Sequence, residues 1–253
     1  MDVMVHAVPY HGSDSGGDLH YVSTCLRGAI TRFMVADVSG HGEGVGDLAL
    51  KLRKLLRKNI NTPDQSRLTR QLNEEFSRLA SSGRFATAVI ATYYGPTNSL
   101  IVSNAGHPPP LWYSASRDEW SLLVPDAASA VVEVPGAIAN LPLGIIEPTE
   151  YRQFTVQLGL GDVLMLYTDS LIESADSSGR QVGPQGLLEL ARSIGACEPS
   201  SLCDALLDRL TSYRGGADSD DDVTLMILRH NAGQASQSLG EWASTLGRLI
   251  TGR

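Results

Sequence analysis

Four aspartates at the ends of apolar segments are the residues of this sequence best suited to chemistry. Asp18 precedes one strand-like segment and Asp37 ends the next, while Asp169 follows and Asp221 precedes two further apolar runs. Carboxylates gathered at the end of a sheet repel one another unless they are protonated, solvated or neutralised by cations. Because oxygen ligands select hard ions, the pattern predicts a site for Mg²⁺ or Mn²⁺. The alternative for any single aspartate is an ordinary turn residue.

The spacing of Asp18 and Asp37 predicts that these two residues face each other. Residues 19–26 and 30–36 are strand-like and flank a short turn at residues 27–28. The midpoint of positions 18 and 37 falls in this turn. Residues equidistant from the turn of an antiparallel hairpin lie opposite each other, so both aspartates should come together at one end.

The other two aspartates flank the most apolar segments of the chain. Residues 163–167 and 223–228 are short apolar runs bounded by turns, which is typical of strands buried on both faces. If these strands are antiparallel neighbours, Asp169 and Asp221 also meet at one end. The sequence leaves open whether the two pairs of aspartates share an end.

The order of the remaining elements favours antiparallel sheets with helices packed outside them. The order along the chain is strands, two helices, strands, two helices and one strand. This order differs from the strict alternation of strands and helices in a doubly wound sheet. Four helices are predicted. The first follows the glycine-rich residues 40–46, and the second begins at Thr62, which serves as its N-cap. The third and fourth cover residues 184–194 and 199–213. Residues 114–140 fit no element clearly.

The sequence divides into residues 1–230, which form the main domain, and residues 231–253, which form a linker and a tail. Residues 239–250 carry apolar side chains at helical spacing and predict an amphipathic helix. This helix would dock on its own domain, pair with a second chain to give an oligomer, or contact a partner.

Composition narrows the class of protein. The net charge of −8 over 253 residues argues against general nucleic-acid binding, which needs a basic face. Three cysteines without a CxxC pair predict a reducing, cytoplasmic location rather than a disulfide framework. No run of eighteen apolar residues predicts a membrane span, and the N-terminus lacks the pattern of a signal peptide.

The segments around the aspartates resemble the PPM-type (2C-like) metal-dependent serine/threonine protein phosphatases, in particular the bacterial sporulation and stress-response regulatory branch. The resemblance extends over residues 16–229 and rests on the order of six motifs. These are Gly16-Gly17-Asp18, Asp37-Val38-Ser39-Gly40-His41-Gly42, Asn104-Ala105-Gly106-His107-Pro108-Pro109, Leu141-Pro142-Leu143-Gly144, Tyr167-Thr168-Asp169 and Asp221-Asp222-Val223-Thr224.

The resemblance implies both a fold and an activity. The expected fold is an α+β, four-layer αββα sandwich of two mainly antiparallel sheets flanked by helices. The expected reaction is hydrolysis of phosphoserine or phosphothreonine with two Mn²⁺ or Mg²⁺ ions. The substrate would be a phosphorylated protein, such as an anti-sigma-factor antagonist.

The resemblance also assigns roles to individual residues. It makes Asp18, Asp37, Asp169 and Asp221 the catalytic, metal-binding acids and makes the main-chain carbonyl of Val38 a further metal ligand. Asp222 matches a neighbour of the ligand, although three consecutive acids at 220–222 leave this register open.

Departures from the family pattern keep alternatives open. Ser170 stands where the family usually has a glycine after the third aspartate, Asp169. Residues 43–47 stand where it usually has small apolar residues, and they include two acids, Glu43 and Asp47. These acids would bind a third ion or cap the following helix. One alternative is therefore a catalytically weak or inactive relative that acts as a regulatory binding module, and another is a phosphatase of small metabolites. His41 is a candidate general acid or a structural residue, and His107 is interpreted as a turn residue.

Overall fold

Two five-stranded antiparallel sheets form the centre of the computed structural model, which describes residues 1–10, 16–40, 44–80, 83–125, 139–195 and 197–231. Sheet I contains, in spatial order, β1 (Asp2–Val8), β10 (Val223–Arg229), β9 (Val163–Tyr167), β6 (Leu111–Ser114) and β7 (Glu119–Leu122). Sheet II contains β2 (Asp18–Cys25), β3 (Ile30–Val38), β4 (Ala86–Tyr94), β5 (Ser99–Ala105) and β8 (Gln153–Gln157).

Helices cover the outer face of each sheet. The helices α1 (Val45–Asn59) and α2 (Gln65–Leu79) pack on sheet II. A short helix, α3 (Ser170–Glu173), precedes α4 (Gly183–Ile194) and α5 (Pro199–Tyr213), which pack on sheet I. The predicted four-layer αββα sandwich is confirmed.

The apolar runs are unbroken because the central strands are buried on both faces. In β3, Met34 and Ala36 face α1 and α2, whereas Phe33 and Val35 face sheet I. In β9 and β10, odd-numbered residues such as Met165 pack under α4 and α5, and even-numbered residues enter the layer between the sheets. This alternation follows from the two-residue period of a strand.

The strand registers confirm both pairings expected from the sequence. In the β2–β3 hairpin Asp18 lies opposite Asp37. The strands β9 and β10 are antiparallel neighbours, with Tyr167 opposite Leu225, so Asp169 and Asp221 extend from the same end of that pair.

Two local predictions were wrong or incomplete. The N-cap of α2 is Asp64, whose side chain accepts a hydrogen bond from the amide of Arg67, while the hydroxyl of Thr62 bonds to Gln71 instead. The strand β1 was not predicted. It lies at the edge of sheet I with mostly exposed or half-buried residues, so its apolar pattern is weak.

Several predictions concern residues outside the described ranges. The amphipathic helix at 239–250 and the oligomer that it would form are among them, as are His41 and Glu43. Asp47 is described: it lies exposed in the first turn of α1, where a negative charge interacts favourably with the helix dipole. Among the helices that the structure describes, none has the length and apolar character required to span a membrane.

A buried arginine fastens the α1–α2 connection to sheet II. Arg32 is 5% exposed, and its Nε donates to Thr92 Oγ1 at 2.9 Å. Its two terminal nitrogens donate to the carbonyls of Ile60 at 2.5 Å and Thr62 at 3.0 Å. A guanidinium donates to these acceptors from three separate nitrogens in one plane, whereas a lysine donates from a single nitrogen and cannot replace all three bonds in the same positions.

We therefore expect Arg32→Lys to destabilise the fold. The ammonium would leave at least one buried acceptor unpartnered, which lowers the free energy of unfolding by about 1–3 kcal/mol. The matched control is Arg78→Lys, at an exposed ion pair with Glu74, where a change within about 0.5 kcal/mol is expected. Urea denaturation of both variants measures the difference, and equal effects would contradict the role given to Arg32.

Candidate metal centre

The first half of the candidate site lies at one end of sheet II. Asp18 begins β2, and Asp37 is the penultimate residue of β3, directly opposite. Both side chains are half-buried. Facing residues of an antiparallel pair have Cβ atoms about 5 Å apart, so one cation can lie between their carboxylates.

The second half of the site comes from sheet I. Asp169 follows β9 after one residue, and the exposed Asp221 lies two residues before β10. A hydrogen bond of 2.8 Å from the hydroxyl of Thr168 to Oδ2 of Asp18 joins the two halves. The two pairs of aspartates therefore share one edge of the sandwich, which the sequence alone left open.

Two glycines allow the chain before Asp18 to approach its neighbours closely. A Cβ atom on Gly17 would lie 2.8 Å from the carbonyl oxygen of Val38 and 3.1 Å from Oδ1 of Asp37. A Cβ atom on Gly16 would collide with the carboxylate of Asp222. Any larger residue at either position would displace Asp18 from its place opposite Asp37.

Asp222 differs sharply in environment from its neighbour Asp221. It is 8% exposed, and its Oδ2 accepts from the amide of Gly17 at 2.6 Å. Its Oδ1 accepts from the amide of Tyr10 at 2.7 Å. Asp222 thus holds the glycine segment in place, while Asp221 remains exposed at the edge near Asp169.

The electrostatics of the site are strongly unfavourable for negative charge. Burial, followed by the neighbouring aspartates, raises the pKa of Asp37 to about 8. Burial also raises the pKa of Asp18 to about 7, although hydrogen bonds from Thr224 and Thr168 act in the opposite direction. The pKa of Asp169 is raised by burial and by the charge of Asp221.

The donor set fits a hard divalent cation. None of the ion pairs between described residues includes any of these four aspartates. A cation at this edge would relieve the repulsion, and carboxylate and carbonyl oxygens are the ligands that Mg²⁺ and Mn²⁺ prefer.

The site is not a preformed cage of side chains. Within the described ranges, no three acidic, histidine or cysteine side chains form a group that could hold a metal ion. Mg²⁺ is commonly bound through one or two carboxylates and retains several waters.

Among the residues around the site, sequence reasoning gave no role to Thr168 and treated Asp222 merely as a neighbour of a ligand. The threonine was visible as the residue before Asp169, but its contact with Asp18 crosses 150 residues of sequence. The signal that could have found it is the recurrence of a threonine within two residues of an aspartate in both late motifs, at Thr168 and Thr224.

His107 is a buried structural residue beneath the site. Its imidazole bonds to the hydroxyl of Thr87 at 2.8 Å and to the carbonyl of Tyr167 at 2.9 Å, so it joins sheet II to sheet I. Burial lowers the pKa of this imidazole to about 4. The interpretation of His107 as a turn residue is incomplete, because its side chain also links the two sheets.

Ser170, the departure from the family pattern, causes no backbone strain. It begins α3 and is not among the residues with positive φ. Its hydroxyl, however, is buried and has no hydrogen-bond partner among the residues that the structure describes. The hydroxyl of Ser174, one turn later, bonds to the carbonyl of Ser170 and accepts from Arg214.

The protein has two antiparallel sheets flanked by helices, with aspartates at the edge that the sheets share. This architecture is the PP2C-type phosphatase fold. The RsbU and RsbW domains of Rv1364c from Mycobacterium tuberculosis share this fold at 22% identity and a TM-score of 0.73, over 99% of this chain and 68% of that chain. A structure of the PP2C phosphatase domain and a fragment of the regulatory domain of SpoIIE from Bacillus subtilis shares it at 17% identity and a TM-score of 0.72, over 90% of this chain and 63% of that chain.

The chain belongs to the Stage II sporulation protein E (SpoIIE) family, whose model matches residues 28–231. It is also similar to phosphoserine phosphatase RsbU of Bacillus subtilis (strain 168), with 27% identity over 167 residues. That match covers 65% of this chain and 44% of RsbU, so the chain spans less than half the length of this relative.

The first prediction from this site concerns pH. Unfolded His107 takes up a proton near its ordinary pKa of 6.5, whereas the folded residue does so near 4, so the unfolded state binds more protons between these values. The contribution of His107 to stability should therefore be complete above pH 6.5 and should decline by up to about 3 kcal/mol toward pH 4.

Urea denaturation between pH 4 and 8 tests this, with His107→Gln as the comparison. The stability advantage of the unsubstituted chain over the variant should shrink as the pH is lowered. A difference that is independent of pH would show that His107 does not titrate in this way.

The second prediction concerns the unpartnered hydroxyl of Ser170. Ser170→Ala should raise the free energy of unfolding by about 1 kcal/mol, because it removes a buried polar group that lacks a partner. Ser174→Ala is the matched control and should lower the free energy of unfolding by a similar amount, because its hydroxyl bonds are satisfied. Thermal or urea denaturation measures both changes in the free energy of unfolding. Destabilisation by Ser170→Ala would contradict the view that the Ser170 hydroxyl is unpartnered.

Proposed function

We propose that the protein is a metal-dependent phosphatase that hydrolyses phosphoserine or phosphothreonine on a protein. The observation that carries this proposal is the pairing of Asp18 with Asp37 at the edge where Asp169 and Asp221 also lie. Membership of the SpoIIE family supports the reaction class.

In this proposal the chain holds two Mn²⁺ or Mg²⁺ ions between its two sheets. Asp18, Asp37 and the carbonyl of Val38 contribute ligands from sheet II, and Asp169 and Asp221 contribute ligands from sheet I. When bound, the ions supply an activated water and offset the charge of the phosphate oxygens. Val38 is 1% exposed, and Gly17 lies directly against its carbonyl. The position of this carbonyl ligand would therefore be set by the main chain.

The overall reaction transfers the phosphoryl group to water. The oxygen of water bonds to phosphorus while the bond from phosphorus to the serine or threonine oxygen breaks, and that oxygen receives a proton. The aspartates orient the reactants and carry no covalent intermediate in this scheme.

The proposed substrate is a phosphorylated regulatory protein, such as an anti-sigma-factor antagonist. Similarity to RsbU, which is named a phosphoserine phosphatase, supports phosphoserine as the target. The proposed location is the cytoplasm, and the three cysteines, all of them free, support a reducing compartment.

A second candidate is a regulatory binding module without catalytic activity. The observation in its favour is that no three described ligand side chains already form a metal-binding group. Calorimetry distinguishes the candidates, because an active enzyme of this kind should bind two divalent ions and the module should bind one at most.

We expect Mn²⁺-dependent release of phosphate from a phosphoserine peptide, and we expect Asp37→Asn to reduce the rate by more than about 100-fold. Loss of a ligand should exceed the roughly 10- to 100-fold effect that is typical of residues behind a metal ligand. A colorimetric phosphate assay at saturating Mn²⁺ measures this rate.

The matched control is Asp64→Asn, at the N-cap of α2, because asparagine is an equally good capping residue there. This variant should retain the full rate. An unchanged rate for Asp37→Asn would rule out the proposed metal centre, and absence of turnover by the unsubstituted chain together with a single bound ion would favour the binding module.

A further inference from the structure

The side chain of Asp18 is held by a residue of the opposite sheet. Thr168 lies between β9 and Asp169 and is fully buried. Its hydroxyl donates to Oδ2 of Asp18 at 2.8 Å. Asp18 belongs to sheet II, so this bond is a direct connection across the candidate site.

The direction of this hydrogen bond follows from its acceptor, because the ionised carboxylate of Asp18 can accept but not donate. A hydroxyl has one proton to donate and two lone pairs to accept with. The amide of Thr224 donates to the Thr168 hydroxyl at 3.0 Å, which occupies an accepting position. The amide of Thr168 in turn donates to the carbonyl of Thr224 at 3.0 Å, so Thr168 is anchored to β10. The Thr168 hydroxyl also lies 3.4 Å from that carbonyl, but the contact with Oδ2 of Asp18 at 2.8 Å is much shorter and takes the proton.

The main chain at Asp18 is held from a second side. Asp222 accepts from the amide of Gly17 at 2.6 Å and makes a longer contact of 3.4 Å with the amide of Asp18 itself. Both holding groups belong to the same end of sheet I. They restrain different parts of Asp18: Thr168 restrains the carboxylate, and Asp222 restrains the backbone.

We propose that Thr168 and Asp222 are positioning residues that fix Asp18 in the orientation required to bind a divalent cation. This inference rests on the proposed function, because it assumes that Asp18 is a metal ligand. The hydroxyl of Thr168 occupies Oδ2 of Asp18 and so limits rotation of the carboxylate. Neither residue contacts substrate or metal in this proposal.

Calorimetric titration of the full chain with Mn²⁺ tests the inference without measuring catalysis. Thr168→Val, which keeps the shape but removes the hydroxyl, should weaken Mn²⁺ binding by roughly 10- to 100-fold, the range for groups that orient a metal ligand. Thr168→Ser keeps the hydroxyl and should restore binding to within about threefold.

The matched control is Thr69→Val in α2. Thr69 is also fully buried, and its hydroxyl bonds to the carbonyl of Gln65 and to Ser103, away from the site. This variant should lose stability in urea denaturation without a change in Mn²⁺ affinity. A loss of affinity in Thr168→Val and not in Thr69→Val would separate positioning from general stabilisation.

If Thr168→Val does not fold, Asp222→Asn decides the question. The side-chain amide of asparagine has one accepting oxygen, so it can accept only one of the two hydrogen bonds that the main-chain amides of Tyr10 and Gly17 donate to Asp222. It should also weaken Mn²⁺ binding by roughly tenfold. Unchanged affinity in the folded Thr168→Val, or in Asp222→Asn, overturns the inference while the proposed function stands. Absence of Mn²⁺ binding by the unsubstituted chain overturns both.

Discussion

The concentration of negative charge at one partly buried edge is the constraint on which the rest of the structure depends. Burial and mutual repulsion raise the pKa values of Asp18 and Asp37 well above the ordinary range of carboxyl groups. Such a cluster contributes nothing favourable to folding by itself. The residues must be held in place by the remainder of the protein, and the apolar layers on both faces of each sheet supply the stabilisation that this requires.

Apolar layers hold the sheets together but do not fix how one lies over the other, because the hydrophobic effect is non-directional. Polar contacts supply that precision at both ends of the sandwich. At the site, His107 and Thr168 connect the sheets. At the opposite end, the buried His230 follows β10 and bonds to Tyr93 and to the carbonyl of Gly159. The directional bonds at the two ends restrict sliding of one sheet over the other.

Much of the fold could be predicted from the sequence because its strongest signals are local. The hairpin that pairs Asp18 with Asp37 follows from symmetry about one turn, and the helices follow from apolar spacing. The strand β1 could not be found in this way, because it becomes a strand by pairing with β10 at the other end of the chain. The contact of Thr168 with Asp18 is equally non-local. Local pattern therefore located the acids, whereas the groups that orient them required the tertiary structure.

The adjacent acids Asp221 and Asp222 show how the register of a strand assigns function. Both acids lie just before β10, where Asp221 is exposed near Asp169 and Asp222 is buried against the glycine segment. A shift of one residue would exchange them. Hydrophobicity opposes such a shift only weakly, because both faces of β10 are apolar and buried. The bonds of Thr224 to Thr168 and of Asp222 to Gly17 help to fix the register. The polar groups that orient the candidate site thus also contribute to deciding which acid belongs to it.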